Sequence, residues 1–191
     1  LHLFPHWNWA GREGRPVSVW VHSNCDAVEL VLNGRSLGRQ PVVKNTHLEW
    51  QVAYAPGRIE AHGYRDGKRV MHAVRETTGT AARIGLTSDR RHLAPGEVAV
   101  VRVAILDAKQ REIPTAWDRV TFALSGDAKL LGVGNGDPRS LEPDHATSRS
   151  AFNGLCMALV QAGEQGGPIR LEAHGEGLAP AMLALIGRGG D

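Results

Sequence analysis

At 191 residues, the chain is long enough for one large or two small domains, each able to bury a core. The formal net charge is only +2 and no long run of Lys or Arg occurs, so we expect no nucleic-acid partner. No stretch reaches about 18 apolar residues and no signal peptide opens the chain, so we expect no membrane span. The first residue is Leu rather than Met, which suggests a segment of a longer protein.

Apolar positions alternate with others along most of the chain, as in strands with one buried face. Val17, Val19 and Val21 begin this pattern, which recurs at residues 28–32 and 48–54. Turn sequences interrupt the runs at Asn33-Gly34, Pro56-Gly57, Asp66-Gly67, Pro95-Gly96, Asn135-Gly136 and Asn153-Gly154. No window of about twelve residues carries a helical repeat with capping residues. The sequence therefore predicts an all-β protein.

The predicted strands fall on both sides of a small, polar segment at residues 76–82, which is typical of a linker. They lie at 17–22, 27–32, 47–54, 58–65 and 68–75, and then at 82–87, 97–106, 119–125, 128–133, 147–151, 155–162, 168–174 and 178–186. The second set fits an immunoglobulin-like sandwich of about 100 residues, and the first set is smaller but similar in kind. We predict two tandem immunoglobulin-like antiparallel β-sandwich domains, at residues 1–78 and 79–191. A parallel α/β fold is excluded because no crossover helices are predicted.

Two motifs resemble parts of enzyme active sites but lack the structural context. The segment Gly34 to Gly38 matches the nucleophile motif G-x-S-x-G, yet no helix can follow it and Asn33-Gly34 indicates a hairpin. We interpret Ser36 as a hairpin residue. The segment Gly132 to Asp137 resembles a phosphate loop, but its third glycine and the following helix are missing. We interpret it as a tight turn at the end of a strand.

Metal ligation has little support from the sequence. Cys25 and Cys156 are far apart, and we expect both to be buried, unreactive thiols. Oxygen-bearing side chains gather in one loop without EF-hand spacing, which we interpret as a solvated acidic loop rather than a calcium site; they are Asn135, Asp137, Glu142 and Asp144.

Histidines and carboxylates form no recognisable catalytic pattern. His2 and His6 have metal-ligand spacing only if they lie on a helix, and the remaining histidines are scattered singly. No carboxylate is marked by its neighbours as buried, as one of a glycosidase pair would be. The sequence predicts no catalytic residues, no metal site and no cofactor.

Two sets of short motifs carry a specific resemblance. Those of the first half are Phe4-Pro5-His6-Trp7-Asn8-Trp9, Gly11, Glu13-Gly14, Pro16-Val17, Val19-Trp20-Val21, Ser23-Asn24-Cys25, Val28-Glu29-Leu30 and Leu32 to Gly38. Those of the second half are Gly132 to Pro138 and Arg149 to Gly154. With these motifs, the first half resembles the small β-sandwich that follows the catalytic barrel in many bacterial β-galactosidases of glycoside hydrolase family 2, and the second half is similar to the immunoglobulin-like domain that comes next.

The resemblance implies an accessory role. In that family, two glutamates on a (β/α)₈ barrel of about 250 residues perform retaining hydrolysis, and this chain has no such barrel. None of the family's catalytic residues has a matching position here. The resemblance implies that the chain is a non-catalytic fragment of a retaining β-galactosidase, which braces the catalytic barrel or mediates assembly of the parent into oligomers.

The aromatic segment at the start of the chain is the one candidate contact site. The resemblance places Phe4 to Trp9 between the barrel and the first sandwich. Trp7 and Trp9 would point to one side of an extended segment, with Asn8 opposite. We expect the rings of Trp7 and Trp9 to pack in a core or against another domain, and Trp7, Asn8 and Trp9 to be the possible contact with the barrel or, as the alternative, with a carbohydrate. If Trp7 and Trp9 dock on the barrel, they should be partly exposed in this chain.

Two other functions remain open: a carbohydrate-binding module that uses exposed aromatics, and an immunoglobulin-like adhesion module that binds a protein. Scarce aromatics in the second half weaken sugar binding there, since it has only Trp117, Phe122 and Phe152. The sequence gives no cellular location, although the resemblance slightly favours a periplasmic or extracellular one.

Overall fold

The structure, a computed structural model, describes residues 1–190 and consists of strands and connecting turns. The strands are β1 His2–Phe4, β2 Pro16–His22, β3 Ala27–Leu32, β4 Arg35–Pro41, β5 Leu48–Ala53, β6 Arg58–Arg65, β7 Lys68–Glu76, β8 Ala81–Ser88, β9 His92–Leu93, β10 Val98–Asp107, β11 Arg119–Ser125, β12 Ala128–Gly134, β13 Ser148–Ser150, β14 Leu155–Ala162, β15 Gly167–His174 and β16 Ala181–Gly187. The described residues contain no helix, and hence none that could cross a membrane.

The chain divides into two compact units, Leu1–Thr77 and Thr78–Asp191. The first unit has a three-stranded sheet in the order β1-β2-β5 and a four-stranded sheet in the order β4-β3-β6-β7. The second unit has sheets in the orders β12-β14-β10-β8 and β13-β11-β15-β16-β9. The predicted class is confirmed: the protein is all-β, with two tandem immunoglobulin-like sandwiches. That residues 1–78 and 79–191 are separate folding domains stays a proposal.

Each unit has its own apolar core, built from the alternating positions of its strands. In β2 the buried residues are Val17, Val19 and Val21, and in β5 they are Leu48, Trp50 and Val52. These side chains pack with residues of the facing sheet, including Val28, Leu30, Ile59 and Ala61. The second unit's core includes Val101, Val103 and Ile105 of β10 and Ala158 and Val160 of β14. Alternation thus places one face of each strand in a core.

The hairpin of β3 and β4 forms at Asn33-Gly34, as predicted. Both residues have positive φ, 50° and 81°, which is the conformation that two-residue hairpin turns require. The Asn33 side chain also accepts a hydrogen bond from the Arg58 amide at 2.7 Å. The predicted linker is shorter than expected, because β7 continues to Glu76 and β8 begins at Ala81.

Candidate functional site

Trp7 lies in the core of the first unit, with 1% of its surface exposed. Its indole Nε1 donates a hydrogen bond to the Ala55 carbonyl at 2.9 Å, and its ring meets Tyr54 edge-on at a centroid distance of 5.2 Å. The partial exposure that docking on the barrel would require is therefore absent at Trp7, which packs in the local core. The premise of an extended segment fails, since residues 5–15 form turns rather than a strand.

Trp9 and Asn8 are half-buried and lie against His6. The Trp9 ring stacks on the His6 imidazole at 4.5 Å and donates through Nε1 to the His6 carbonyl at 2.9 Å. The His6 Nδ1 accepts a hydrogen bond from the Asn8 amide at 3.2 Å, and burial lowers the pKa of His6. Whether Trp7, Asn8 and Trp9 contact another domain or a carbohydrate stays a prediction.

A second group of aromatic rings was not anticipated. We call it the ring cluster: Phe4, Trp20, His22 and His47. Strand β1 pairs with β2 and places Phe4 opposite Trp20. The Trp20 and His47 rings stack at 4.3 Å, and Trp20 remains 38% exposed. The ring cluster was missed because strand β1 was not predicted. Without β1, the segment that holds Phe4 cannot be paired with the segment that holds Trp20.

Ser36 lies on β4 and is not placed as a nucleophile. Its Oγ donates to the Glu29 carboxylate at 2.7 Å, and Tyr64 donates to the other oxygen of that carboxylate at 2.7 Å. These hydrogen bonds, the Ser36 bond first, lower the pKa of Glu29. A serine whose hydroxyl proton is bound by an ionised, structurally engaged carboxylate has no general base of the triad kind.

Part of the acidic loop is hydrogen-bonded to the rest of the second unit, while the Asp144 side chain is 76% exposed. Arg149, 6% exposed, donates to the Glu142 carbonyl at 2.8 Å and to Asp144 at 3.1 Å. The Glu142 carboxylate accepts bonds from the amide and hydroxyl of Ser150. The Ser150 amide is the main cause of the lowered pKa of Glu142. Arg149 is thus a buried cation that holds the loop through the Glu142 carbonyl and the Asp144 carboxylate.

The cysteines are both buried, as expected. Burial raises the pKa of Cys156 to about 12, so this residue is a thiol near neutral pH.

Asp107 is the one buried carboxylate among residues 1–190, and its pKa lies below the usual range. Every other described carboxylate with a resolved shift is lowered too. A glycosidase general acid needs a raised pKa, so these groups are unsuited to that role.

Two histidines interpreted as scattered come together on the four-stranded sheet. His62 and His72 are direct cross-strand partners on β6 and β7, with ring centroids 5.2 Å apart. Both imidazoles face Glu60, whose Oε2 lies 3.5 Å from His62 Nε2 and 2.7 Å from His72 Nε2. The interpretation of these histidines as isolated is therefore wrong. Two imidazoles and a carboxylate form a constellation able to bind protons or a metal ion.

Comparisons with known proteins identify the family. Residues 84–184 match the glycoside hydrolase family 2 C-terminal domain 5, and residues 14–71 match a domain of unknown function, DUF4982. The β-galactosidase BoGH2A of Bacteroides ovatus is 38% identical over 97% of this chain, which spans 22% of that protein. A putative β-glucuronidase of Formosa agariphila is 33% identical over 85% of the chain, which spans 16% of that protein.

Solved structures agree with this assignment. A β-glycosidase from Bacteroides vulgatus superposes with a TM-score of 0.94 at 35% identity, over 97% of this chain and 24% of that one. A family 2 β-glucuronidase superposes with a TM-score of 0.87 at 29% identity, over 100% of this chain and 20% of that one. The chain thus belongs to glycoside hydrolase family 2 and corresponds to an accessory, C-terminal β-sandwich part of its β-galactosidase and β-glucuronidase members.

Proposed function

We propose that the chain is a non-catalytic part of a retaining β-galactosidase that hydrolyses terminal β-galactosides, and that it braces the catalytic barrel or mediates assembly of the parent enzyme. The observation that carries the proposal is the 38% identity to a β-galactosidase over 97% of the chain. The lowered pKa values of the carboxylates support a non-catalytic role. Trp9 and Asn8, half-buried near the start of the chain, are the remaining candidates there for contact with the barrel.

Chromogenic substrates test the assignment of activity. The chain alone should hydrolyse neither a p-nitrophenyl β-galactoside nor the β-glucuronide, because no carboxylate pair is tuned for it. The parent enzyme should hydrolyse the galactoside with the higher kcat/KM. Preference for the glucuronide would contradict the galactosidase assignment. Activity of the chain alone that Ser36→Ala abolished would contradict the non-catalytic one.

Truncation of the parent enzyme tests the accessory role separately. A parent enzyme truncated before this chain should have a lower melting temperature, a changed number of subunits per assembly in solution, or both. Trp9→Ala in the full-length parent should reproduce part of the loss if Trp9 contacts the barrel, with the exposed Trp117→Ala as control. A truncated parent with unchanged melting temperature and assembly would refute bracing.

Carbohydrate binding is the second candidate function, and the ring cluster favours it. Trp20 is an exposed aromatic next to polar groups: its Nε1 donates to Ser18 at 2.8 Å, and Ser18 donates to Glu49 at 2.6 Å. Aromatic rings beside hydrogen-bonding groups suit a sugar ring, which has apolar and polar faces. Galacto-oligosaccharides should then shift the tryptophan fluorescence of the chain, and Trp20→Ala should abolish the shift. An unchanged spectrum would exclude this function for the ring cluster.

A further inference from the structure

The tetrapeptide Glu-Ala-His-Gly occurs twice in the chain, at residues 60–63 on β6 and at 172–175 at the end of β15. Alternate residues of a strand face the same side of a sheet, so Glu and His share one face in both copies. The two copies differ in what lies across the strand. His62 faces His72, whereas His174 faces Thr121. Only the first copy therefore gathers three potential ligands.

A β-bulge creates the histidine pair. The hairpin of β6 and β7 begins with Arg65 opposite Lys68 and Tyr64 opposite Arg69, and the register then shifts between Gly63 and Tyr64. The shift adds one residue on β7, so that Gly63 lies opposite Met71 and His62 lies opposite His72. An uninterrupted register would have placed Met71 opposite His62 and turned His72 to the other face. The bulge thus brings the two imidazoles together on the outer side of the sheet.

The three side chains offer ligand atoms at separations that suit one small divalent cation. One ring nitrogen of each histidine and one Glu60 carboxylate oxygen all lie within 4.8 Å of one another. Bonds of about 2.0–2.1 Å in a tetrahedral site place ligand atoms roughly 3.3 Å apart. The 3.5 Å between His62 Nε2 and Glu60 Oε2 already fits, and the 2.7 Å between His72 Nε2 and Glu60 Oε2 needs to increase by about 0.6 Å.

The surroundings orient the carboxylate. The Arg58 guanidinium lies 3.2 Å from Oε1 of Glu60 and leaves Oε2 to the histidines. The side chains of Glu60 and His62 are 18% and 14% exposed, so they are held in place by packing, while His72 is 41% exposed and leaves the site open to solvent. Glu29 lies across the strand from His62 and adds negative charge beside it.

We propose that Glu60, His62 and His72 form a binding site for Zn²⁺ or a similar borderline transition-metal ion, with water in the remaining position. Two imidazoles and one carboxylate are a ligand set that such ions prefer over Mg²⁺ or Ca²⁺. The ion would join β6 to β7, the edge strand of the sheet. Residues 68–72 of that strand are exposed, so a metal link there would hold the strand to its neighbour where packing is weak.

Zinc titration of the untagged, chelator-treated chain tests this proposal. Calorimetry should show one tight site per chain. His72→Gln and His62→Gln should each weaken zinc binding by at least about 10–100-fold, because loss of a ligand exceeds the usual effect of losing an outer-sphere partner. His174→Gln is the matched control, since it removes the histidine of the second tetrapeptide. His47→Gln controls for the histidines of the ring cluster.

Imidazole nitrogen spectra provide an independent measurement. In nitrogen NMR spectra of the imidazoles, one equivalent of zinc should shift the Nε2 resonances of both His62 and His72. The resonances of His174 should stay unchanged. His72 is exposed on an edge strand, so His72→Gln should fold even if His62→Gln does not. Zinc affinity that survives His72→Gln, or that falls equally in His174→Gln, would overturn the proposal.

Discussion

Trp7 is the largest fully buried side chain of the chain's described residues. Its ring fills core volume beside Tyr54, and its N–H satisfies the Ala55 carbonyl. Thr77 Oγ1 donates to the Trp7 carbonyl at 2.6 Å, so backbone and side chain both fix this residue. These contacts stabilise the first unit itself.

Trp7→Ala should therefore destabilise the isolated chain. We expect a loss of about 3–5 kcal/mol in the free energy of unfolding of the first unit, the usual effect of truncating a buried Trp. Trp20→Ala, at a residue that is 38% exposed, is the matched control and should cost about 1 kcal/mol or less. Urea titrations of both variants measure the difference. Equal losses would show that Trp7 does not support the local core.

Asp107 illustrates a buried charge that is fully bonded. Burial alone would raise its pKa, but hydrogen bonds from the Arg111 side chain and from the amides of Gly79, Arg111 and Lys109 lower it below the usual range. The Arg111 Nη2 lies 2.6 Å from Oδ2. Ionised Asp107, the last residue of β10, thus accepts hydrogen bonds from donors that would otherwise be unpaired.

Asp107→Asn should destabilise the second unit by about 2–3 kcal/mol near pH 7, because hydrogen bonds to a charged acceptor are replaced by weaker ones. Asp89→Asn is the control: that side chain is 40% exposed, so its substitution should destabilise the chain much less than Asp107→Asn does. Chemical unfolding of each variant gives the values. A loss no larger than that of Asp89→Asn would contradict this role for Asp107.

The lowered pKa of Asp107 also predicts how the stability difference between the native chain and Asp107→Asn depends on pH. Asp107 stabilises the fold fully above its unfolded pKa of about 3.9, and the contribution declines as pH falls through that value toward the folded pKa. The stability difference between the native chain and Asp107→Asn should therefore shrink below about pH 4. A difference that stays constant down to acid unfolding would show that the charge is not the cause.

At the scale of elements, Gly154 ends a turn that only glycine fits. Its φ is +81°, and a Cβ would collide with the Ile113 carbonyl oxygen. Its amide donates to Ala116 at 2.9 Å and its carbonyl accepts from Ile105 at 2.8 Å, so the turn cannot move aside freely.

Gly154→Ala should consequently destabilise more than a glycine substitution that adds only backbone strain. Gly96→Ala is the matched control, because Gly96 has φ +76° with no atom within 4 Å of the added Cβ. We expect Gly154→Ala to cost about 1–3 kcal/mol more, the scale of overpacking. Thermal unfolding of both variants measures the gap. Equal melting temperatures would indicate that the Ile113 segment yields without cost.

Strands with one buried face could be predicted from the sequence; of the strands without one, β7 was predicted and β4 was not. The predicted ranges 119–125 and 155–162 coincide with β11 and β14, where alternate residues are buried. Strand β4 was missed because its residues are mostly exposed and polar, so no period appears. Strands β1 and β9 are too short for a period to be recognised.

The contacts between strands depend on register, which a single sequence does not specify. Finding the pair of His62 and His72 required the bulge between Gly63 and Tyr64, and finding the ring cluster required the pairing of β1 with β2. The burial of Trp7 required the turn after β1 in place of an extended segment. The family could be identified because its motifs are read along the chain and need no register.

At the scale of the whole molecule, the two units have separate cores. One buried cluster consists of residues between Leu3 and Ala61, and the other consists of residues between Ile84 and Leu185. No sheet combines strands of both units among residues 1–190. Each unit thus has paired strands and a core of its own, which are the requirements for independent folding.

Residues 1–78 and 79–191, expressed separately, should each fold into a β-rich, cooperatively unfolding domain. The second piece buries the larger cluster and should be the more stable, since buried fraction rises with size. Circular dichroism and urea unfolding of each piece, compared with the intact chain, measure this. Trp7→Ala should shift only the transition of the first piece and Asp107→Asn only that of the second, because each side chain contacts its own unit. A piece that stays unfolded, or a substitution that shifts both transitions of the intact chain, would show that the two sandwiches fold as one unit.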